Sequence, residues 1–258
     1  MNQPDGHHPH QPGKQAWRAG ERVAFFGGSF DPPHFGHLAV ARAARDAFRL
    51  DRVLFAPVGA QPLKPEGSAA GFEQRLAMTR LAIEGEPGFE ISLADAPRSS
   101  GERELSPNYT INALEGLRAA LAAESALFCL MGADAFFGLR RWHRAAEIPF
   151  VAPLIVAARP GQPLDGLKAA LPQGLTLESA PGGERWESGV EVRAFELVNL
   201  AGDRTPFYLL PGLDVEISAS EIREVIRAQV HAAEGLMAAG NLLPPAVAAY
   251  IRSHGLYH

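Results

Sequence analysis

The stretch Arg22-Val23-Ala24-Phe25-Phe26-Gly27-Gly28-Ser29-Phe30-Asp31-Pro32-Pro33-His34-Phe35-Gly36-His37 decides how this chain is read. Val23–Phe26 is an unbroken apolar run, the pattern of a strand buried on both faces, and it stops at two glycines that break into a turn. Beyond the turn the apolar period changes. Leu38, Val40, Ala41, Ala44 and Phe48 recur at helical spacing and predict a helix over 35–48. Val53-Leu54-Phe55-Ala56, closed by Pro57, reads as a second strand. Strand, helix and strand within about 35 residues make a βαβ unit, with parallel strands and a right-handed crossover.

Outward from this unit the alternation continues. Helices are expected over 72–84 and 108–122, and strands over 89–93 and 126–131. A short helix from Ala133 and a strand over 151–156 follow, the latter placed at an edge by Pro153. This order implies an α/β fold, a doubly wound and mostly parallel sheet of Rossmann-like type. The Gly/Pro-rich loops 57–71 and 94–107 follow strands, so they belong beyond the strands' carboxyl ends, where such folds bind ligands. Residues 180–206 read as an insertion or irregular hairpin. From Ser218 the chain looks helical, with breaks near Gly240 and Pro244-Pro245, as a small C-terminal part of a single domain over 21–258. Residues 1–20 carry His7, His8 and His10 but no apolar core, and read as a flexible, solvated tail.

Composition narrows the function classes. At 258 residues, with 47% apolar and 21% charged side chains, the chain is long and apolar enough for one large packed domain. A net charge of -5 with no basic stripe argues against nucleic acid and anionic membrane as partners, so any anion site is local. No apolar stretch has membrane-spanning length. The single cysteine, Cys129, rules out an internal disulfide and suits a reducing cytoplasm. Within Leu127-Phe128-Cys129-Leu130 it reads as an inert core thiol.

The chemistry gathers around the opening turn. Gly27 and Gly28 let backbone amides approach a ligand closely, and the helix beginning soon after offers its amino end to phosphate. His34 and His37, three residues apart, share one face of the first turn. There they can donate hydrogen bonds to polyphosphate oxygens and stabilise charge at a reacting phosphorus, while Gly36 leaves room for a nucleotide. Surface or core packing and a metal pair are the other uses of two such histidines. No Cys or third His stands nearby at ligand spacing, so phosphate is favoured over metal. The turn is neither a Walker loop nor a dinucleotide-binding G-x-G-x-x-G. Asp31, before Pro32, suits a turn or a metal and is left unassigned. Near the other end, Ser218 or Ser220 can cap a helix whose amides face an anion, with Arg223 in the next turn to bridge phosphate oxygens.

Gly27-Gly28-Ser29-Phe30-Asp31 with His34-Phe35-Gly36-His37 resembles the H-x-G-H motif of the adenylyl/cytidylyl transferase superfamily, and Ile217-Ser218-Ala219-Ser220-Glu221-Ile222-Arg223 resembles its second motif, I-S-x-[ST]-x-[IV]-R. Within that superfamily, several elements resemble nicotinate-nucleotide adenylyltransferases: Gly132-Ala133-Asp134 with Leu139 and Trp142, Arg159-Pro160-Gly161, Asn108-Tyr109-Thr110 with Asn in place of Ser, and the ending from Leu242 to Tyr257. The resemblance implies transfer of an adenylyl group from ATP to nicotinate mononucleotide, giving nicotinate adenine dinucleotide and pyrophosphate in NAD biosynthesis. Mg²⁺ would be carried by the ATP phosphates, with no dedicated protein metal site. It implies ATP binding by Gly27, Gly28, Ser29, Phe30, His34, Gly36, His37, Ile217, Ser218, Ser220 and Arg223, with His34, His37 and Arg223 catalytic. Trp142 would stack on the pyridine, amides of Thr110 and His143 would receive the carboxylate, and Asp134 would contact ribose. Lys64 would meet a phosphate, from a loop where Leu63 replaces the family's usual His. Two alternatives stand beside this reading: another acceptor such as nicotinamide mononucleotide, and a nucleotide-binding regulator without turnover.

Overall fold

The computed structural model describes residues 17–60, 67–99, 105–158, 164–213, 218–228 and 241–257. Strand β1 (Arg22–Gly28) leads into helix α1 (Phe35–Phe48), and β2 (Arg52–Pro57) returns parallel to β1, with Phe25 opposite Leu54. Helix α2 (Phe72–Ile83) and strand β3 (Phe89–Ile91) repeat the crossover, with β3 parallel to β2. A small antiparallel ribbon, β4 (Arg98–Ser99) and β5 (Leu105–Ser106), precedes α3 (Thr110–Ala120). The chain then enters β6 (Ala126–Gly132), which pairs with the other side of β1. Helices α4 (Ala133–Gly138) and α5 (Ile148–Val151) connect to β7 (Leu154–Ala157), and α6 (Leu164–Ala170) follows. Strands β8 (Thr176–Glu187), β9 (Val190–Val198) and β10 (Arg204–Leu210) complete a sheet of order β3-β2-β1-β6-β7-β10-β9-β8. Helices α7 (Ala219–Ala228) and α8 (Pro245–Ser253) come last.

Alternate side chains of β1 enter two cores, as a strand covered on both faces requires. Val23 and Phe25 pack with Ile111 and Leu114 of α3 and with Phe136 and Leu139. Ala24 and Phe26 pack on the other face with Leu38, Ala41 and Ala44 of α1. Met78 and Ala82 of α2 form a third cluster with Ile222, Ile226, Val247 and Ile251 of α7 and α8. The last two helices are thereby held beside the body of the sheet.

The sheet changes winding direction at β1: the chain moves outward through β2 and β3, then returns to β6 on β1's opposite side. That reversal opens a crevice at the carboxyl ends of β1 and β6, where ligands bind in such folds.

Two expectations are corrected, and a third, the irregular hairpin within 180–206, is met and extended. The strand predicted over 151–156 runs over Leu154–Ala157 and lies inside the sheet, between β6 and β7's other neighbour β10. Pro153 stands just before it, where only its carbonyl is used, accepting from the Cys129 amide at 3.0 Å. Residues 180–206 belong to an ordered three-strand extension. β8 and β9 form a hairpin with an irregularity between Ser179 and Glu184, and β10 joins the central sheet parallel to β7. Residues 17–20, expected in the tail, are tied down: Trp17 packs against the first core under the Arg52 guanidinium, and Arg18 bonds Glu21 at 3.0 Å. Residues 1–16 and Gly240 lie outside the described residues.

Candidate active site

A cleft of about 480 Å³ opens at the switch point. Its floor is the ends of three strands: Gly27 and Gly28 of β1, Gly132 after the apolar run of β6, and Ala157 and Ala158 at β7. Small residues at all three ends leave room for a ligand to lie against backbone. A Cβ on Gly27 would stand 2.8 Å from the Phe25 ring, and one on Gly28 3.2 Å from the Phe30 ring, so the turn has no space for side chains.

Phe30 takes a left-handed backbone (φ 48°), a conformation of appreciable cost for an aromatic residue. Its ring explains why the turn tolerates this. The ring is buried between Phe26 and Phe55, each 5.6 Å away, and lies 5.0 Å from the His37 ring. Burial of one aromatic side chain thus fixes the backbone that presents Ser29 and Asp31.

His34 and His37 stand at the start of α1 with ring centroids 3.8 Å apart. The His34 amide donates to His37 Nδ1 at 3.2 Å, so Nε2 of a neutral His37 carries the proton and is a donor. His34 is buried, and among the described residues its Nδ1 has no hydrogen-bond partner. Burial holds its pKa down at about 4. Burial, and then the neighbouring His34, push His37 well below the usual imidazole value. Both imidazoles are therefore neutral at pH 7 in the free protein.

The second motif forms the opposite wall. Of the two serines expected to cap its helix, Ser218 does so. Its Oγ accepts from the Glu221 amide at 3.1 Å, while Glu221 reaches back to the Ser218 amide at 3.1 Å, a reciprocal capping box. Ser220 instead accepts from Arg223 Nη2 at 3.2 Å, and Arg223 Nη1 donates to the Asp31 carbonyl at 2.6 Å. The two motifs, 192 positions apart, are in direct contact.

Of the expected site residues, Gly27, Gly28, Ser29, Phe30, His34, Gly36, His37, Asp134, Ser218, Ser220 and Arg223 line this one cleft. Thr110, Trp142 and His143 do not line it, and gather elsewhere. Thr110 opens α3, Trp142 packs half-buried against the first core, and the His143 ring lies 4.3 Å from that of Tyr109. Asn108 is buried, accepting from the Ala60 amide at 3.1 Å and donating to the Ala96 carbonyl at 2.9 Å, so it joins the loops after β2 and β3. Lys64 and Ile217 lie outside the described residues.

Arg75 escapes a motif-based reading, and Asp31, which the sequence leaves between a turn and a metal, takes the turn's part. Arg75 of α2 is 2% exposed, and its guanidinium donates to the carbonyls of Ser29 (2.7 Å), Val58 (2.7 Å) and Ala70 (3.2 Å). It ties the turn after β1 to the ends of both flanking segments. The buried Asp31 carboxylate accepts from the amides of Ala69 (2.7 Å) and Ala70 (3.1 Å) and from the Tyr257 hydroxyl (2.7 Å). Asp31 thus holds the turn. For Arg75 a signal was available: at positions 75, 78, 79 and 82 it falls on the buried face of α2.

A Gly-Gly turn, two adjoining histidines and a capped helix with its arginine, set at the switch point of a mostly parallel sheet, define a nucleotidyltransferase fold of the cytidylyltransferase-like class. Residues 25–225 match the Cytidylyltransferase-like family model. The chain is 38% identical over 240 residues to a Laribacter hongkongensis protein named "Probable nicotinate-nucleotide adenylyltransferase", covering 91% of this chain and 94% of that one. It is 33% identical over 240 residues to a protein of the same name from Solibacter usitatus, covering 92% and 100%. The chain belongs to the nicotinate-nucleotide adenylyltransferase family. In fold it is similar to Plasmodium falciparum nicotinic acid mononucleotide adenylyltransferase complexed with NaAD, with a TM-score of 0.61 over 92% of this chain and 97% of that one at 15% identity.

Proposed function

We propose that this protein transfers the adenylyl group of ATP to nicotinate mononucleotide, releasing pyrophosphate. The observation that carries the reading is that both phosphate motifs, with His34, His37 and Arg223, line one cleft at the switch point. The family and its named relatives supply the acceptor.

The attacking group is a phosphate monoester, whose second pKa near 6 leaves it largely dianionic at neutral pH. No general base is needed, so the residues act by positioning and by stabilising charge. Neutral His37 offers an Nε2–H donor, and the neutral His34 adds a second imidazole at the same end of α1. The negative charge of a bound triphosphate favours protonation of both, which strengthens their hold on the departing pyrophosphate. Arg223 adds a permanent cation on the opposite wall. ATP enters as its Mg²⁺ complex, so the ion arrives with the substrate. Both oxygens of Asp31 hold the turn through Ala69, Ala70 and Tyr257, and Asp134, on the cleft wall, would contact ribose. Thr110 at the amino end of α3, with His143 and the half-buried face of Trp142, is the proposed seat of the pyridine and its carboxylate.

The test is pyrophosphate release from MgATP with nicotinate or nicotinamide mononucleotide, using wild type and His37→Ala. Turnover with nicotinate mononucleotide that falls about 10²–10³-fold in His37→Ala is expected, the loss typical of one transition-state donor. Preference for nicotinamide mononucleotide would refute the roles given to Thr110 and His143, and unchanged turnover in His37→Ala would refute the phosphate site.

A further inference from the structure

The segment that follows α8 packs back against the turn that carries Asp31. After α8 the backbone turns through Gly255 (φ 58°), the Leu256 amide bonds the Ile251 carbonyl at 3.1 Å, and Tyr257 itself is left-handed (φ 69°). A tyrosine held in that region is strained, and such strain persists only where the surroundings fix it. Here they do: Tyr257 is 7% exposed, its ring sits in the cluster formed by α2, α7 and α8, and its hydroxyl donates to Asp31 Oδ1 at 2.7 Å.

Asp31 is the point where the two walls of the cleft meet. Its carboxylate fastens Ala69 and Ala70, and its carbonyl receives Arg223 Nη1 at 2.6 Å. Three residues later comes His34. We infer that Tyr257 is a positioning residue of the transfer site: its hydroxyl orients Asp31, and Asp31 in turn sets where the Arg223 guanidinium stands. Burial and the adjacent Asp31 carboxylate both raise the phenol pKa above its usual value, so the hydroxyl stays protonated and remains a donor throughout the working pH range. Tyr257 touches no reacting atom; its effect runs through Arg223.

The inference rests on the reading of Arg223 as a phosphate ligand, and the experiment separates the two. Wild type, Tyr257→Phe, Arg223→Ala and the double variant are titrated with inorganic pyrophosphate by calorimetry, and kcat and KM for ATP are measured alongside. Phenylalanine keeps the ring and the packing, and the unfolding midpoint of each protein is measured so that all four are compared well below it, in the folded state. In the wild-type background Tyr257→Phe should weaken pyrophosphate binding and lower kcat by about three- to tenfold, the usual size of coupling between contacting residues. In the Arg223→Ala background it should change neither. Equal losses in both backgrounds, or no loss in either, would overturn the positioning role of Tyr257. Arg223→Ala binding pyrophosphate as tightly as wild type would overturn the phosphate role of Arg223 instead.

Discussion

The buried histidine pair makes stability depend on pH in a direction that can be worked out. His34 titrates near 4 in the folded protein and at 6.5 in the unfolded chain, because burial disfavours its charged form. Between those values the unfolded chain binds more protons than the folded one, so acid favours unfolding. The stabilising contribution is fully present above pH 6.5, is lost as pH falls, and stops changing below about 4. Integrating from pH 7.5 to pH 5 with 1.36 kcal/mol per pKa unit gives a loss of about 2 kcal/mol from His34. His37, lowered by burial and by His34, adds a loss of the same sign. Urea unfolding followed by tryptophan fluorescence at both pH values measures it, with His34→Gln as the comparison. Carboxylates titrate alike in both proteins and cancel, so the stability difference between the two pH values should be smaller in His34→Gln by about 2 kcal/mol. Equal acid losses in the two proteins would refute the argument, because His34 would then be accessible to protons in the folded state.

Other perturbations test the scaffold around the cleft. Arg75→Leu leaves the carbonyls of Ser29, Val58 and Ala70 without their buried donor, and should cost about 3–5 kcal/mol in urea unfolding. Arg75→Lys should recover only part of that, since a single ammonium does not reproduce the planar fork. Gly59→Ala would put a Cβ 2.5 Å from the Pro97 nitrogen and 2.7 Å from Asn108 Oδ1, against backbone that cannot yield easily. A loss of about 1–3 kcal/mol is expected, read as a fall in Tm of about 2–4 °C per kcal/mol.

The first βαβ unit was legible because its apolar period changes at a glycine pair, and α1 occupies the 35–48 span given by that pattern. The run from Val151 to Val156 misled for the same kind of reason. Its first residue ends a helical turn and the strand begins only at Leu154, yet nothing in an unbroken apolar run marks that change. In β8 and β9 the alternation is interrupted at Gly182-Gly183 and carries ion-paired arginines and glutamates such as Arg193–Glu191, so it lacked the plain signature of a half-buried strand. Apolar Phe207-Tyr208-Leu209-Leu210 was the available clue to β10. The two phosphate motifs were legible as motifs, but their contact through Asp31 and Arg223 was not, because it depends on how α7 docks against the cluster of α2 and α8.

The bonds from Asp31 to Arg223 and to Tyr257 span 192 and 226 positions of the chain. A nascent polypeptide can therefore lay down β1, its turn and the histidine pair long before it has anything to brace them against. Contacts so distant in sequence form late in folding, after the loop between them has closed. On the ribosome, the turn that carries Asp31 waits until Arg223 and then Tyr257 have been made.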